Sequence, residues 1–496
     1  MKRQHLYQSL LVGILVLIMC TMLAVLLVHP TTARSETSQD APPAPPHPLV
    51  GFEVNRILLP KSTAAYNSIF TPALSLHAPW FLNGTSNVRV YNAGKVTATV
   101  YARFTYPAGV TTTQGALAPG ALAEIKPRGI DEGIELSAIL TSTQPIVAVV
   151  NDFGPENNRA TSYAAMPASL GRTYLALPDV LAGNAGWDSQ IVVQNVGVTT
   201  ASVSIFYTNT NPYTTTIWSE NVSNLSPGAT RAFTPEDANN PQGINFPDVF
   251  EGIAIIQSDQ PLVAIVRNSS SANYNAHIYR VPLPQAPGDD KPFYFPMLAN
   301  DFQDWTNSEI QVMNAGATRA DFTVHIESII QAPRAIDAWH AKSFPQDRSA
   351  DEGIQSPKGL AVHGRIEQAR DLHSLVWLRG SLQGDSFASY STPSVGAREL
   401  YLPYTDQGDD FTTLVFVQNT SAQNATLSLT YHNMAGITNT ILGETLGPFE
   451  MQYYAVADDF NGGVVIQADQ PVTAISIIAG RLILDLETYL PIVFRP

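Results

Sequence analysis

Ile191-Val192-Val193-Gln194-Asn195-Val196-Gly197-Val198-Thr199-Thr200-Ala201-Ser202-Val203-Ser204-Ile205-Phe206-Tyr207 holds the pattern from which the fold is read. Positions four and two before Asn195 are apolar, and after the turn apolar residues return at Ala201, Val203, Ile205 and Tyr207. A period of two with one apolar face is the mark of a half-buried strand. A short polar loop between two such strands makes a hairpin. The phase must survive the loop, because a slip of one residue would turn the apolar face to water.

The same phrase returns three more times, at Asn92, Asn314 and Asn419. Gly94, Gly197, Gly316 and Ser421 stand two places on, and Ala98, Ala201, Ala320 and Ala425 six places on. Other signals keep step with it. Leu117-Ala118-Pro119-Gly120 and Leu225-Ser226-Pro227-Gly228 read as type II turns, since Pro fixes φ and Gly accepts φ > 0; Leu446-Gly447-Pro448-Phe449 is a weaker version. Further on, Thr141-Ser142-Thr143-Gln144-Pro145, Ser258-Asp259-Gln260-Pro261 and Ala468-Asp469-Gln470-Pro471 read as tight corners joining two strands. The third copy has diverged at this corner and carries an atypical middle from Ile329 to Lys358.

These repeats predict an all-β chain of four tandem immunoglobulin-like β-sandwich modules, at residues 51–172, 173–290, 291–398 and 399–496. The Asn-x-Gly, Ala and Leu-x-Pro-Gly phrases, over about residues 55–490, resemble tandem β-sandwich repeats of secreted bacterial surface proteins, including those of cell-adhesion-related type. The resemblance implies a fold and a location, and brings no catalytic residue with it.

The N-terminus predicts the compartment. Lys2 and Arg3 precede Leu10–Val28, nineteen residues without a charge. A basic start and an apolar run make an export signal, with Thr31-Thr32-Ala33 as a small-residue cleavage site. The run is also long enough for an uncleaved membrane anchor, so signal peptide and anchor both stand for residues 1–33. Residues 34–50 are polar and Pro-rich, a semi-rigid spacer. The expected location is extracellular or at the cell surface, with membrane contact only through the N-terminal segment. The one cysteine, Cys20, lies in the leader, so the modules are expected to stand on their cores without disulfides.

A net charge of −15 argues against a phosphate-neutralising surface, and hence against nucleic acid as a partner. The partner expected is a cell-surface or extracellular protein or glycan. There is no nucleophile elbow, Walker loop or zinc-protease helix in the sequence, and a non-catalytic protein is expected. Acidic loops before the first strands offer Asp188, Asp304, Asp409 and Asp410, with Asp301 and Asp406 beside them, as weak candidates for Ca²⁺, which takes six to eight oxygens. Asp237 to Asn245 resembles a calcium loop loosely, with Gly243 one place late. No cofactor is otherwise expected. His363 and His373 are isolated. The repeated Asn, at a buried phase and a strand end, is expected to bond its own turn. Trp187, Trp218, Trp305 and Trp339 are the candidates for sugar stacking if the modules bind carbohydrate. Tyr489-Leu490-Pro491-Ile492-Val493-Phe494-Arg495-Pro496 is expected to close the fourth module or to pair with another subunit. The modules are expected to stand in series as a rod behind the spacer.

Overall fold

In the computed structural model the described residues are 63–67, 72–153, 160–209, 216–270, 276–281, 291–302, 305–346, 353–357, 360–367, 371–380, 387–407, 411–434, 438–456 and 460–480. All belong to one compact unit, Arg56–Pro496; the unit Met1–Asn55 lies outside the described residues.

The strands fall into four antiparallel sheets. The first strand, β1 (Thr63–Asn67), belongs to the last of them. Module 1 has β2 (Ala73–Leu82), β3 (Ser86–Asn92), β4 (Ala98–Tyr106), β5 (Gly109–Leu117), β6 (Leu122–Ile125), β7 (Glu135–Phe153) and β8 (Ala160–Ala164). Module 2 repeats this as β9 (Arg172–Ala182), β10 (Trp187–Asn195), β11 (Ala201–Asn209), β12 (Trp218–Leu225), β13 (Thr230–Phe233), β14 (Phe250–Ser270) and β15 (Ala276–Arg280). Module 3 has β16 (Phe293–Phe302), β17 (Trp305–Asn314), β18 (Ala320–Ile326), the short β19 (Ile329–Ile330) and β20 (Arg334–Ile336), β21 (His340–Pro345), β22 (Leu360–Glu367), β23 (Leu372–Gly380) and β24 (Phe387–Ser391). Module 4 has β25 (Ala397–Gln407), β26 (Phe411–Asn419), β27 (Ala425–Asn433), β28 (Thr438–Leu446), β29 (Met451–Ala455) and β30 (Phe460–Gly480). No α-helix occurs among the described residues, and the all-β class holds.

The expected tight corner is not a hairpin. In modules 1, 2 and 4 the two strands that flank it are one continuous strand of 19 or 21 residues. Its first half pairs with two strands and its second half with two others. In β7, Leu136–Ser142 lies against β2 and β4, and Ile146–Phe153 against β3 and β8. The polar Ser-Thr-Gln-Pro segment marks where the strand leaves one layer of the sandwich for the other. In module 3 the long strand is broken into β22 and β23, where the sequence had diverged.

Three phrases that the sequence shows separately meet at one place. Ala121 N–H bonds the carbonyl of Ala118 at 3.0 Å, and Gly120 has φ +70°, which is the type II turn expected there. Gly120 N–H in turn bonds the carbonyl of Asn92 at 3.0 Å, and Ala93 N–H bonds that of Pro145 at 2.9 Å. Hairpin, turn and corner thus share one knot, with the Asn at its centre. The same crowding favours a small residue at Gly197, where a Cβ would stand 2.7 Å from Gln260 Oε1 of the corner; module 4 carries Ser421 at this place.

A second tie recurs in modules 1, 2 and 3. The first strand bulges at a proline, and the carbonyl of the next residue accepts a hydrogen bond from a tyrosine of the last strand. Tyr163 donates to Trp80, Tyr279 to Asp179, and Tyr390 to Met297, the last at 2.6 Å.

The rod is overturned. The four sheets pack head to tail and close on themselves. Val192, Val263, Ile265 and Ile278 of module 2 enter the core of module 1. Leu375 and Trp377 of module 3 enter that of module 2, and Phe416, Ile475 and Ile477 of module 4 that of module 3. Tyr91, Leu122, Val147, Val149 and Ala164 of module 1 then enter that of module 4. A heterologous contact that closes gives a ring. The cause is in the second half of each long strand. Ile146–Val150 is apolar without alternation, so both of its faces need cover, and the outer one finds it on the neighbouring module.

At the axis of this ring β8, β15, β24 and β1 touch in cyclic order. β1 takes, in module 4, the place that β8, β15 and β24 hold in their own sheets. Tyr66 pairs opposite Ser476 as Tyr163 does opposite Val150, Tyr279 opposite Val266 and Tyr390 opposite Val376. The assignment of Thr63–Asn67 to module 1 is therefore corrected. Its chain neighbours are in module 1, but its strand partner is β30. Residues 489–496, expected to close module 4, lie outside the described residues.

Candidate functional site

The repeated asparagines are spent on the fold. Asn195 is fully buried. Its Nδ2 donates to the carbonyls of Thr199 and Leu225, both at 2.8 Å, and its Oδ1 accepts from Gly197 N–H at 2.8 Å. Asn92, Asn314 and Asn419 repeat this set. A further repeated position, six residues earlier, escaped the sequence reading. Ser86, Ser189 and Ser308 accept hydrogen bonds from the backbone N–H of Leu82, Leu181 and Ala299 beside the proline bulge. Its signal was there in the sequence, Ser or Thr at a constant offset from the Asn.

Of the proposed calcium ligands, Asp304, Asp409 and Asp410 lie outside the described residues, and nothing is described of the side chains of Asp301 and Asp406. Asp188 is the second residue of β10 and holds Gly183 N–H on its Oδ1 at 2.7 Å. No group of three or more His, Cys, Asp or Glu among the described residues is placed to hold a metal. In the loosely calcium-like loop, Asn240 is an Asx turn, accepting from Gln242 N–H at 2.8 Å and donating to the carbonyl of Ile217. Beside it, burial pushes the Glu220 carboxyl up to about 7. The Tyr207 hydroxyl, 2.7 Å away, opposes this, and the charge of Asp237 adds to it.

This fixes a sign. The folded state holds the Glu220 proton up to about pH 7, while the unfolded chain releases it near the ordinary value of 4.5. Its contribution to stability is therefore present below about pH 4.5 and is lost as pH rises through 7. Glu220→Gln should flatten that fall. Thermal unfolding of both proteins from pH 4 to 8 checks it, and parallel curves would remove Glu220 from the account.

The tryptophans do not form a sugar platform. Trp187 and Trp218 are buried, Trp218 donating to the carbonyls of Ile244 and Asn245 and meeting Phe246 and Phe250 edge to face. As sugar ligands both are corrected, because their faces are taken by their own core. Among the described side chains of the four, only Trp339 is at the surface, 40% exposed with φ +63°, and edge-on to Tyr174. Of Trp305 the structure describes only the backbone. His363 pairs with Glu327 at 3.1 Å, and His373 is buried.

The polar groups of most chemical interest were not singled out from the sequence. They lie on β15 at the ring axis. His277 Nδ1 stands 2.8 Å from Ser389 Oγ of β24, with the Trp377 ring at 4.5 Å and the Trp187 ring at 5.5 Å. Burial pulls the imidazole down to about 3, so it is neutral at physiological pH. The distance suits a base and a nucleophile. The burial of both residues suits instead a strut between modules 2 and 3, and no carboxylate is described as orienting the ring. Three residues on, Arg280 is buried, and Ser391 Oγ of β24 donates to its carbonyl. The only sequence signal for this strand was a Tyr at its fourth place, shared by Tyr66, Tyr163, Tyr279 and Tyr390.

No family matches the chain by sequence, and no curated protein does. Among solved structures, the Anabaena sensory rhodopsin transducer is similar at 22% identity, over 19% of this chain and 93% of that one, with a TM-score of 0.14. A structure of allantoicase aligns at 7% identity over 66% of this chain and 76% of that one, TM-score 0.14. A GH2 beta-galacturonidase from Eisenbergiella tayi aligns at 10% identity over 47% and 40%, TM-score 0.12. At such scores none of them carries an argument about this chain.

Proposed function

We propose that the chain is an exported, surface-held, non-catalytic scaffold, whose packed sheets present loops for adhesion to, or assembly with, a cell-surface protein or glycan. The observation that carries this reading is the role of β1. The apolar run Leu10–Val28 and the Pro-rich stretch lead along the chain into the strand that closes the ring. A tether on that strand would hold all four modules at once. The immunoglobulin-like assignment, the boundaries of the modules and the choice between cleaved leader and anchor belong to the same reading.

Expression in a bacterium of the full chain and of a chain starting at residue 49 tests it. The full chain should leave the cytoplasm, and external protease should reach it on intact or osmotically opened cells. The shorter chain should stay inside. Recovery of the full chain in the cytosol would end the proposal. Carbohydrate binding stands as a second reading because Trp339 is an exposed aromatic, edge-on to the half-buried Tyr174. Glycan-array binding that Trp339→Ala abolishes would favour it.

A further inference from the structure

Arg280 presents a problem that the fold does not solve. Its side chain is 8% exposed. Burial lowers the guanidinium pKa to about 10, so the group still carries its charge at neutral pH. Nε is buried without a hydrogen-bond partner, and no charged neighbour among the described residues offsets the burial. A buried cation is ordinarily paired or fully hydrogen-bonded, because taking a charge out of water is costly.

The repeat shows that the architecture does not ask for arginine here. Arg280 pairs opposite Ile265; the equivalent residues are Ala164 opposite Val149, Ser391 opposite Leu375 and Asn67 opposite Ile475. Three of four axial strands place a small residue in this register, and module 2 alone places a long cation. Nor does the strand end need capping by a charge, since Ser391 already serves the Arg280 carbonyl. In a chain of net charge −15, one cation kept in the interior is not general charge balance.

The face is known. Ile278, two residues earlier and so on the same side of β15, enters the core of module 1. Arg280 therefore lies on the side of β15 that meets module 1, close to the axis where β15 touches β8 and β24. A guanidinium presents five N–H donors in a rigid planar fork, which suits two oxygens of one anion better than it suits water.

We propose that Arg280 is the anchor of an oxyanion site at the ring axis, between modules 1 and 2, which takes an inorganic oxyanion or the carboxylate of a small organic acid. The anion supplies the acceptors and the counter-charge that the protein does not, and its binding tightens the joint between the two modules. This goes beyond the scaffold reading and does not depend on where the protein resides.

The test is thermal unfolding of the purified full chain with sodium phosphate, sodium sulfate or sodium glucuronate, each against sodium chloride at equal ionic strength. At least one of the three should raise the midpoint saturably, where chloride does not. Arg280→Ser copies the residue of module 3 and should fold. Its affinity for the active anion should fall at least about tenfold, the loss of one charge-assisted bidentate pair. Arg280→Lys keeps the charge without the fork, and should bind more weakly than wild type but better than the serine variant. Phosphate or sulfate acting alone would identify a free inorganic ion, and glucuronate acting best an acid ligand; both support the site. A wild-type chain that responds to none of the three, or a serine variant that responds as wild type does, would overturn it.

Discussion

A chain that begins at residue 69 is expected to lose the fourth module as a cooperative unit, while one that begins at residue 49 keeps it. β1 pairs along Ile475–Ala479 of β30 and also touches β8 and β24, so it both completes a sheet and seals the ring. Removing it leaves the second half of β30 as an open edge. At about 1 kcal/mol net for each backbone hydrogen bond, five residues of pairing are worth about 3–5 kcal/mol, before any loss from the two neighbouring strands. Hydrogen exchange should show residues 475–479 unprotected in the shorter chain, with a new unfolding transition below the main one. Deleting residues 489–496 is the informative control. From the sequence those residues were expected to close module 4, but the place beside Ile475–Ala479 is already filled. That deletion should leave protection of β30 unchanged. The opposite pair of results would mean that β1 is dispensable and that the closing strand comes from the other terminus.

What was legible in the sequence is what local chemistry decides. The hairpin phase around Asn92, Asn195, Asn314 and Asn419 and the Pro-Gly turns are set by residues a few places apart, and the structure places them as expected. The corner was misread for a physical reason. Ser-Asp-Gln-Pro has turn composition, but a strand that changes layers also needs polar residues and a proline at its bend. The ring was missed although its signal was present. Ile146–Val150 and Leu262–Val266 lack alternation, and a strand apolar on both faces must be covered on both. That run excludes a free-standing sandwich and calls for a packed neighbour on the outer face. β1 was misplaced because contiguity in sequence was taken for contiguity in space, although Tyr66 already matched Tyr163, Tyr279 and Tyr390. The site fared worst. Trp187 and Trp218 drew notice as aromatics and proved to be core, whereas Arg280 belongs to no repeated phrase. It stands out only once the register shows Ala164 and Ser391 in its place.

Asn195→Leu is expected to destabilise module 2 by about 3–6 kcal/mol. The substitution keeps the shape of the side chain and removes its chemistry. Two carbonyls, of Thr199 and Leu225, lose their donor, and Gly197 N–H loses its acceptor. The asparagine they bond is fully buried, and each buried polar group left unpaired costs about 1–3 kcal/mol. Some of this is offset by the apolar leucine. More is added because the same knot joins the hairpin, the type II turn and the corner, so the strain reaches three connections. Asn314→Leu should cost a similar amount, since its amide makes the same three bonds to Thr318, Ile336 and Gly316. Val198→Thr, in the same turn at 91% exposure, should change stability by less than about 0.5 kcal/mol and controls for position. Urea midpoints measure all three. If Asn195→Leu left the midpoint where it was and altered binding of a ligand, the repeated amide would be a recognition group and not a structural one.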